Sequence, residues 1–210
     1  MPSTNSILIF MVAALALNLS PGPSILYILS RSVGQGRDAG LVSVLGLATA
    51  TLIHAAAMAL GLSTLFLYSP FAFAIVKYLG AAYLLYLGVG ALLSRGTFHA
   101  AATGGAPLSL GAVYRQGVVT DLLNPKVALF FISFLPQFVD PSAGSPTLQI
   151  LVFGLLFHVT GVPVNLMVAL AGGRLARLLA RRPRWARIQN WISGTVLIAL
   201  GLRLALSEQR

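Results

Sequence analysis

The chain has 210 residues, of which 57% are hydrophobic, 9% are charged and none is cysteine, and its formal net charge is +10. A soluble domain carries roughly a quarter charged residues, and disorder needs low hydrophobicity with high charge. With a mean hydropathy of +0.88, both classes are excluded and the chain reads as a membrane protein. The missing cysteines also exclude a disulfide scaffold, thiolate chemistry and Cys-ligated metal.

A transmembrane helix needs about 20 predominantly apolar residues. Charge-free runs cover 1–30, 39–76, 78–94 and 141–173, with shorter ones at 127–139 and 188–202. The run 39–76 is too long for one span, and Ser69-Pro70 reads as a tight turn within it. Six spans follow, at 6–30, 40–67, 71–94, 112–137, 147–172 and 189–206, the sixth being the shortest. The expected fold is therefore all-α: a single polytopic transmembrane domain over residues 1–210. The chain start resembles a signal peptide, with Ala14-Leu15-Ala16 as a cleavage site. No basic residue precedes it and the apolar run continues past it, so it is expected to be retained.

Orientation follows the basic residues. Arg31 and Arg37 fall between spans one and two, Arg95 and Arg115 between or flanking three and four. Arg174, Arg177, Arg181, Arg182, Arg184 and Arg187 fall between five and six. Positive loops stay cytoplasmic, so both termini are expected outside. A five-span chain with a cytoplasmic C-terminus accommodates Arg203 and Arg210 and stays open. Topology thus accounts for the positive charge, and no motif of nucleic-acid recognition accompanies it. The stretch 181–187, with Trp185, reads as a loop that meets anionic lipid headgroups.

Two spans are interrupted by polar residues. In span one, Asn18-Leu19-Ser20-Pro21-Gly22-Pro23 places two prolines where each removes a backbone donor and breaks the helix. In lipid, freed carbonyls are tolerated only where protein, water or a solute satisfies them. A structural kink is the plain alternative. Span four is interrupted by Asp121-Leu122-Leu123-Asn124-Pro125-Lys126, and Asp121 is the one acid placed inside the membrane. A charge at that depth costs at least ~2.5–3.5 kcal/mol, so it marks a task or a partner. Here the plain alternative is a self-satisfied Asp121–Lys126 pair.

Pro21 and Pro125 stand 104 residues apart, and so do His54 and His158. Three spans per half invert the second half relative to the first. Paired broken helices in inverted halves point to a transport site near the bilayer midplane. Gly46, Ala50, His54, Ala57 and Gly61 share a face of span two, and Gly154, His158, Gly161, Asn165 and Ala169 share one of span five. Such faces serve close helix packing, while each histidine could instead serve a solute or proton pathway. His99 reads as a solvated loop residue.

Several motifs in this order resemble a known family. Pro21-Gly22-Pro23 is followed by Gly36-Arg37-Asp38-Ala39-Gly40. Span three then carries Lys77-Tyr78-Leu79-Gly80-Ala81-Ala82-Tyr83. Span four adds Asn124-Pro125-Lys126, Phe130-Phe131 and Leu135-Pro136-Gln137-Phe138. Together they look like the lysine exporter/homoserine–threonine resistance (LysE/RhtB) family of bacterial amino-acid exporters, over about residues 10–205. The resemblance implies an inner-membrane secondary transporter that exports amino acids or close derivatives by proton antiport, and a homodimer. It carries the Pro-Gly-Pro, Asn-Pro-Lys, Lys77, Gly80 and Tyr83 positions over as functional. The match is looser around Leu47-Ala48-Thr49.

An amino-acid zwitterion needs donors for its carboxylate and acceptors for its ammonium. Broken helices offer both. Lys126 is expected on the carboxylate, and Asp121 or Asn18 on the ammonium, while Lys77 serves the site or snorkels to the outer surface. No nucleophile–base pair or metal-binding motif is present, so neither enzyme activity nor a cofactor is expected. A channel-like pore or export of another small polar metabolite remains the competing reading.

Overall fold

A computed structural model of the chain describes residues 2–68, 70–93, 107–181 and 183–206. Within these ranges, the side chains of 62–68, 70–73, 76, 77, 80, 173–181, 183–186, 189, 190, 193, 200, 203 and 204 are not described. Lys77, Gly80, His99 and most of the 181–187 stretch therefore lie outside the described side chains.

The described residues are all helical or connecting. Ser3 caps α1 (Thr4–Leu19), its hydroxyl accepting the Ser6 N–H at 3.1 Å. After Ser20, Pro21 and Gly22, Pro23 opens α2 (Pro23–Gly34) from the first helical position, where a missing N–H costs nothing. The axes of α1 and α2 differ by 49°. Gln35 and Gly36 turn the chain, with Gly36 at φ 95°, a region that favours glycine. Then come α3 (Arg37–Tyr68) and α4 (Pro70–Leu93). The second broken span consists of α5 (Leu110–Leu122) and α6 (Pro125–Leu129), with its two parts bent by 46°.

Beyond α6 the helix widens into a π turn over Phe130–Phe134 and tightens into a 3₁₀ turn over Leu135–Phe138. The cause is Pro136, which offers no N–H to the turn before it. The Leu135 N–H reaches back five residues to the Phe130 carbonyl. The Gln137 side-chain amide serves the Ser133 and Phe134 carbonyls at 3.0 and 3.1 Å. The chain finishes with α7 (Pro146–Arg181) and α8 (Pro183–Leu206).

Helix α3 packs against α7 and α5, α4 against α8, and α2 against α7. Small residues allow the closest approaches. Gly46 of α3 lies against the Tyr114 carbonyl and Gly117 of α5, and Gly154 of α7 lies against Ala55. The far end of the span-two face behaves differently, since Gly61 faces open space and Ala57 is exposed. A core of seven phenylalanines (Phe10, Phe130, Phe131, Phe134, Phe138, Phe153 and Phe157) joins α1, the π and 3₁₀ turns and α7 through ring contacts of 4.8–5.7 Å.

By length and composition, α3 over Arg37–Gly61 and α7 over Pro146–Gly172 are each long and apolar enough to cross a membrane. The pairs α1–α2 and α5–α6 qualify if each bent pair is one span. The sequence places the breaks correctly but misplaces several basic residues. Arg31 sits inside α2, and the basic residues at 174–181 and 183–187 belong to α7 and α8 rather than to a long loop. The helix that holds the expected sixth span, α8, accordingly begins at Pro183, ahead of the expected start at 189. Arginine is a good helix former, so helices run on beyond their apolar cores. Pro183 then restarts the helix from its first position.

Candidate functional site

The two breaks make the same backbone error in the same way. Pro21 has no N–H for the Leu17 carbonyl, and Pro125 has none for the Asp121 carbonyl. The N–H one residue earlier tightens onto each: Ser20 N to Leu17 O, and Asn124 N to Asp121 O, both at 3.1 Å. Each carbonyl also receives a side-chain donor from outside its own helix. The Lys126 ammonium donates to Leu17 O at 3.1 Å and to Ser20 O at 2.8 Å. The His54 ring approaches Asp121 O at 3.4 Å, and because a carbonyl only accepts, Nε2 is the donor. Its ring stacks on Phe131.

Asp121, Asn124 and Lys126 are all buried. Asp121 Oδ1 accepts the Ser24 hydroxyl at 2.6 Å, and Oδ2 accepts Thr51 Oγ1 at 3.3 Å. Ser24 Oγ in turn accepts Asn124 Nδ2 at 2.7 Å. Asn124 also caps α6, its Oδ1 accepting the Lys126 N–H at 3.0 Å. The chain of bonds from Lys126 N through Asn124 and Ser24 to Asp121 therefore ties the start of α2 to the second break. The carboxylate and the ammonium bond to different partners rather than to each other, so the self-satisfied pair is not what the fold builds.

A cavity lies between the breaks, with about 30 Å³ open to the centre of a water molecule. That is room for roughly two waters at ~10–15 Å³ each, not for an amino acid. Its polar wall comprises Asn18, Ser24, Thr51, Asp121, Lys126, His158 and Asn165, and its apolar wall Ile25, Ala48, Val127, Phe157 and Val162. Asn18 Nδ2 donates to Thr160 Oγ1 at 3.3 Å, and Gly161 leaves it room, since a Cβ there would meet the amide at 3.2 Å. The buried His158 Nδ1 has no hydrogen-bond partner.

Of the residues singled out in the sequence, Asn18, Asp121, Lys126, His158 and Asn165 share this cavity, and Asn124 and His54 brace it from behind. Pro21 and Pro125 free the carbonyls, Pro23 starts α2, and Gly22 lies beside the Lys126 side chain. Tyr83 does not belong here. Its ring sits on α4 beside Tyr86, with centroids 6.1 Å apart, and is absent from the lining. Ser24 and Thr51 were not anticipated. The signal for Thr51 was its spacing of three from His54, which places both on one helical face.

Among the described residues, no group of three or more His, Asp or Glu side chains could hold a metal ion. The comparisons with known proteins agree with this picture of a polar site inside a helical membrane protein. The sequence pattern of the LysE type translocator matches residues 15–208. The chain belongs to that family. It is thus a translocator rather than an enzyme.

Curated relatives cover nearly its full length. A leucine efflux protein of Salmonella typhimurium is 29% identical over 196 residues, 93% of this chain and 92% of the relative. One from Klebsiella pneumoniae is 28% identical over 94% of this chain and 93% of its own length. An uncharacterized membrane protein of Pseudomonas aeruginosa is 34% identical, with 89% and 88% covered. No solved structure matches the chain.

Proposed function

We propose that this translocator exports neutral, aliphatic amino acids across the bacterial inner membrane in exchange for protons. The observation that carries the reading is one cavity with a buried carboxylate and a buried ammonium that are not spent on each other. A zwitterion brings the complementary charges, and the wall of Ile25, Val127, Phe157 and Val162 suits an aliphatic side chain. A cationic side chain would need a second acid, and among the described lining residues Asp121 is the sole one. The leucine efflux relatives fit the same substrate class.

The proposed frame is six spans in two inverted halves, with α1–α2 and α5–α6 as the broken spans and both termini outside. The shared 104-residue interval between the two proline-freed carbonyls supports it. Asp121 is the proposed proton-carrying group. The basic stretch 181–187 is the proposed meeting point with anionic headgroups at the cytoplasmic surface. A panel of labelled amino acids tested for counterflow in proteoliposomes should give exchange of leucine-like substrates and little of lysine. A flat response with confirmed insertion would overturn the reading.

A further inference from the structure

We infer that the Leu17 and Ser20 carbonyls form the binding site for the substrate's α-ammonium, and that Lys126 occupies it in the empty protein as a tethered stand-in. The inference rests on the amino-acid reading above and extends it to the order in which contacts exchange. The Lys126 ammonium is the same chemical group as a substrate ammonium. It already donates to two main-chain oxygens at the end of α1, at 3.1 and 2.8 Å. Its side chain reaches them past Gly22, where a Cβ would lie 3.1 Å from Nζ and 3.4 Å from Cε.

This geometry limits what Lys126 can do next. Two of its three N–H groups are held by the carbonyls, so it cannot move fully onto a substrate carboxylate until they release it. Releasing them leaves the Leu17 carbonyl with only the Ser20 N–H and takes from the buried Ser20 carbonyl its Lys126 donor, and buried main-chain acceptors need a donor. The substrate supplies that donor in its own ammonium and, in the same molecule, the carboxylate that receives the released Lys126. The exchange closes only when both groups arrive together. An amine displaces Lys126 but brings it no anion of its own, and the Asp121 carboxylate in the same cavity is already bonded by Ser24 and Thr51, whereas an acid offers Lys126 an anion but leaves the Ser20 carbonyl without its donor. The pair of carbonyls and the tethered lysine therefore select for zwitterions before any side-chain preference operates.

The test measures binding to purified protein in nanodiscs, using leucine, 3-methylbutan-1-amine (leucine without its carboxylate) and 4-methylpentanoate (leucine without its ammonium). Wild type should bind leucine and neither analogue in the same concentration range. In Lys126→Met the carbonyls are free, so amine affinity should rise about tenfold or more, as when a competing occupied state is removed. Leucine should lose its advantage over the amine in the same variant. Gly22→Ala, which crowds the lysine tip, should shift amine affinity in the same direction by a smaller factor, and it carries the test if Lys126→Met does not fold. Unchanged amine affinity in the folded variants would overturn the inference. Leucine counterflow by wild type reports separately on the amino-acid reading, so the two failures are distinguishable.

Discussion

Asp121 is buried with hydroxyl donors on both oxygens, and an asparagine there keeps its volume and one of its acceptors. What asparagine lacks is a proton to give up. We therefore expect Asp121→Asn to fold and to retain substrate exchange while losing accumulation driven by a pH gradient. Labelled-substrate uptake into inverted vesicles, with and without an imposed gradient, separates these outcomes. Undiminished gradient-driven uptake would move the proton to the histidines, of which His158 has the unpartnered nitrogen.

A second residue-scale prediction concerns the turn at Pro141–Ala143. The buried Gln149 accepts the Asp140 N–H at 3.0 Å and donates to the Asp140 and Gly144 carbonyls at 2.7 and 3.3 Å. Gln149→Leu removes all three bonds, leaving the Asp140 carbonyl only the Ala143 N–H, and should cost about 1–3 kcal/mol, read as a lower unfolding temperature in detergent. In the same turn, the Ser142 hydroxyl and N–H hold the Asp140 carboxyl below its ordinary value. A depressed carboxyl stabilises the fold above its unfolded pKa. The turn thus keeps this contribution at neutral pH and loses it only as pH falls through the lowered value.

At this scale the sequence was informative wherever a polar residue interrupted an apolar run, as at Asn18, Asp121 and Lys126. It was silent on Ser24 and gave only a spacing for Thr51, because hydroxyls are common in membrane helices and satisfy themselves on the preceding turn. Thr51 does so too, donating to Leu47 O at 3.1 Å as well as to Asp121.

Helix breaks are the next scale. Pro21→Ala with Pro23→Ala restores two backbone donors and favours one continuous helix over 4–34. The protein should still insert, since each proline weakens a helix. Counterflow should fall sharply, because the Leu17 carbonyl would then be spent on the backbone. Near wild-type counterflow would make the break purely structural. Close packing gives a further contrast along α3. A Cβ at Gly46 would lie 2.5 Å from the Tyr114 carbonyl and 3.0 Å from Val118 N, main-chain atoms that do not yield, while Gly61 has open space. Gly46→Ala should therefore destabilise by about 1–3 kcal/mol and Gly61→Ala hardly at all, as thermal unfolding of the two variants would show.

The prolines that break the spans were legible, because Pro-Gly-Pro and Asn-Pro leave a helix no other option. The π turn at Phe130–Phe134 was not, since its cause, Pro136, lies outside it and its carbonyls are rescued by Gln137. Helix ends near the basic residues were misjudged for a related reason. Charge marks where the lipid ends, not where the helix does.

For the molecule as a whole, orientation is the first thing to check. Tags at residues 1 and 210 should both react from outside in intact cells, and a reporter at Arg182 only after permeabilisation. A cytoplasmic C-terminal tag would replace six spans with five. In the proposed orientation α2 and α5 lead inward from the cavity, while the phenylalanine cluster lies outward of it, around Phe10 and Phe138.

That cluster has a consequence for the cell's energy economy. Proton hopping needs an unbroken file of water, and seven interlocked rings offer water almost nothing to bond to. A carrier that exchanges solute for protons must not conduct protons when idle, or it short-circuits the gradient that drives it. In the proposed exchange of solute for protons, the aromatic layer would be the insulator in that circuit, standing between the Asp121 carboxylate and the outer water.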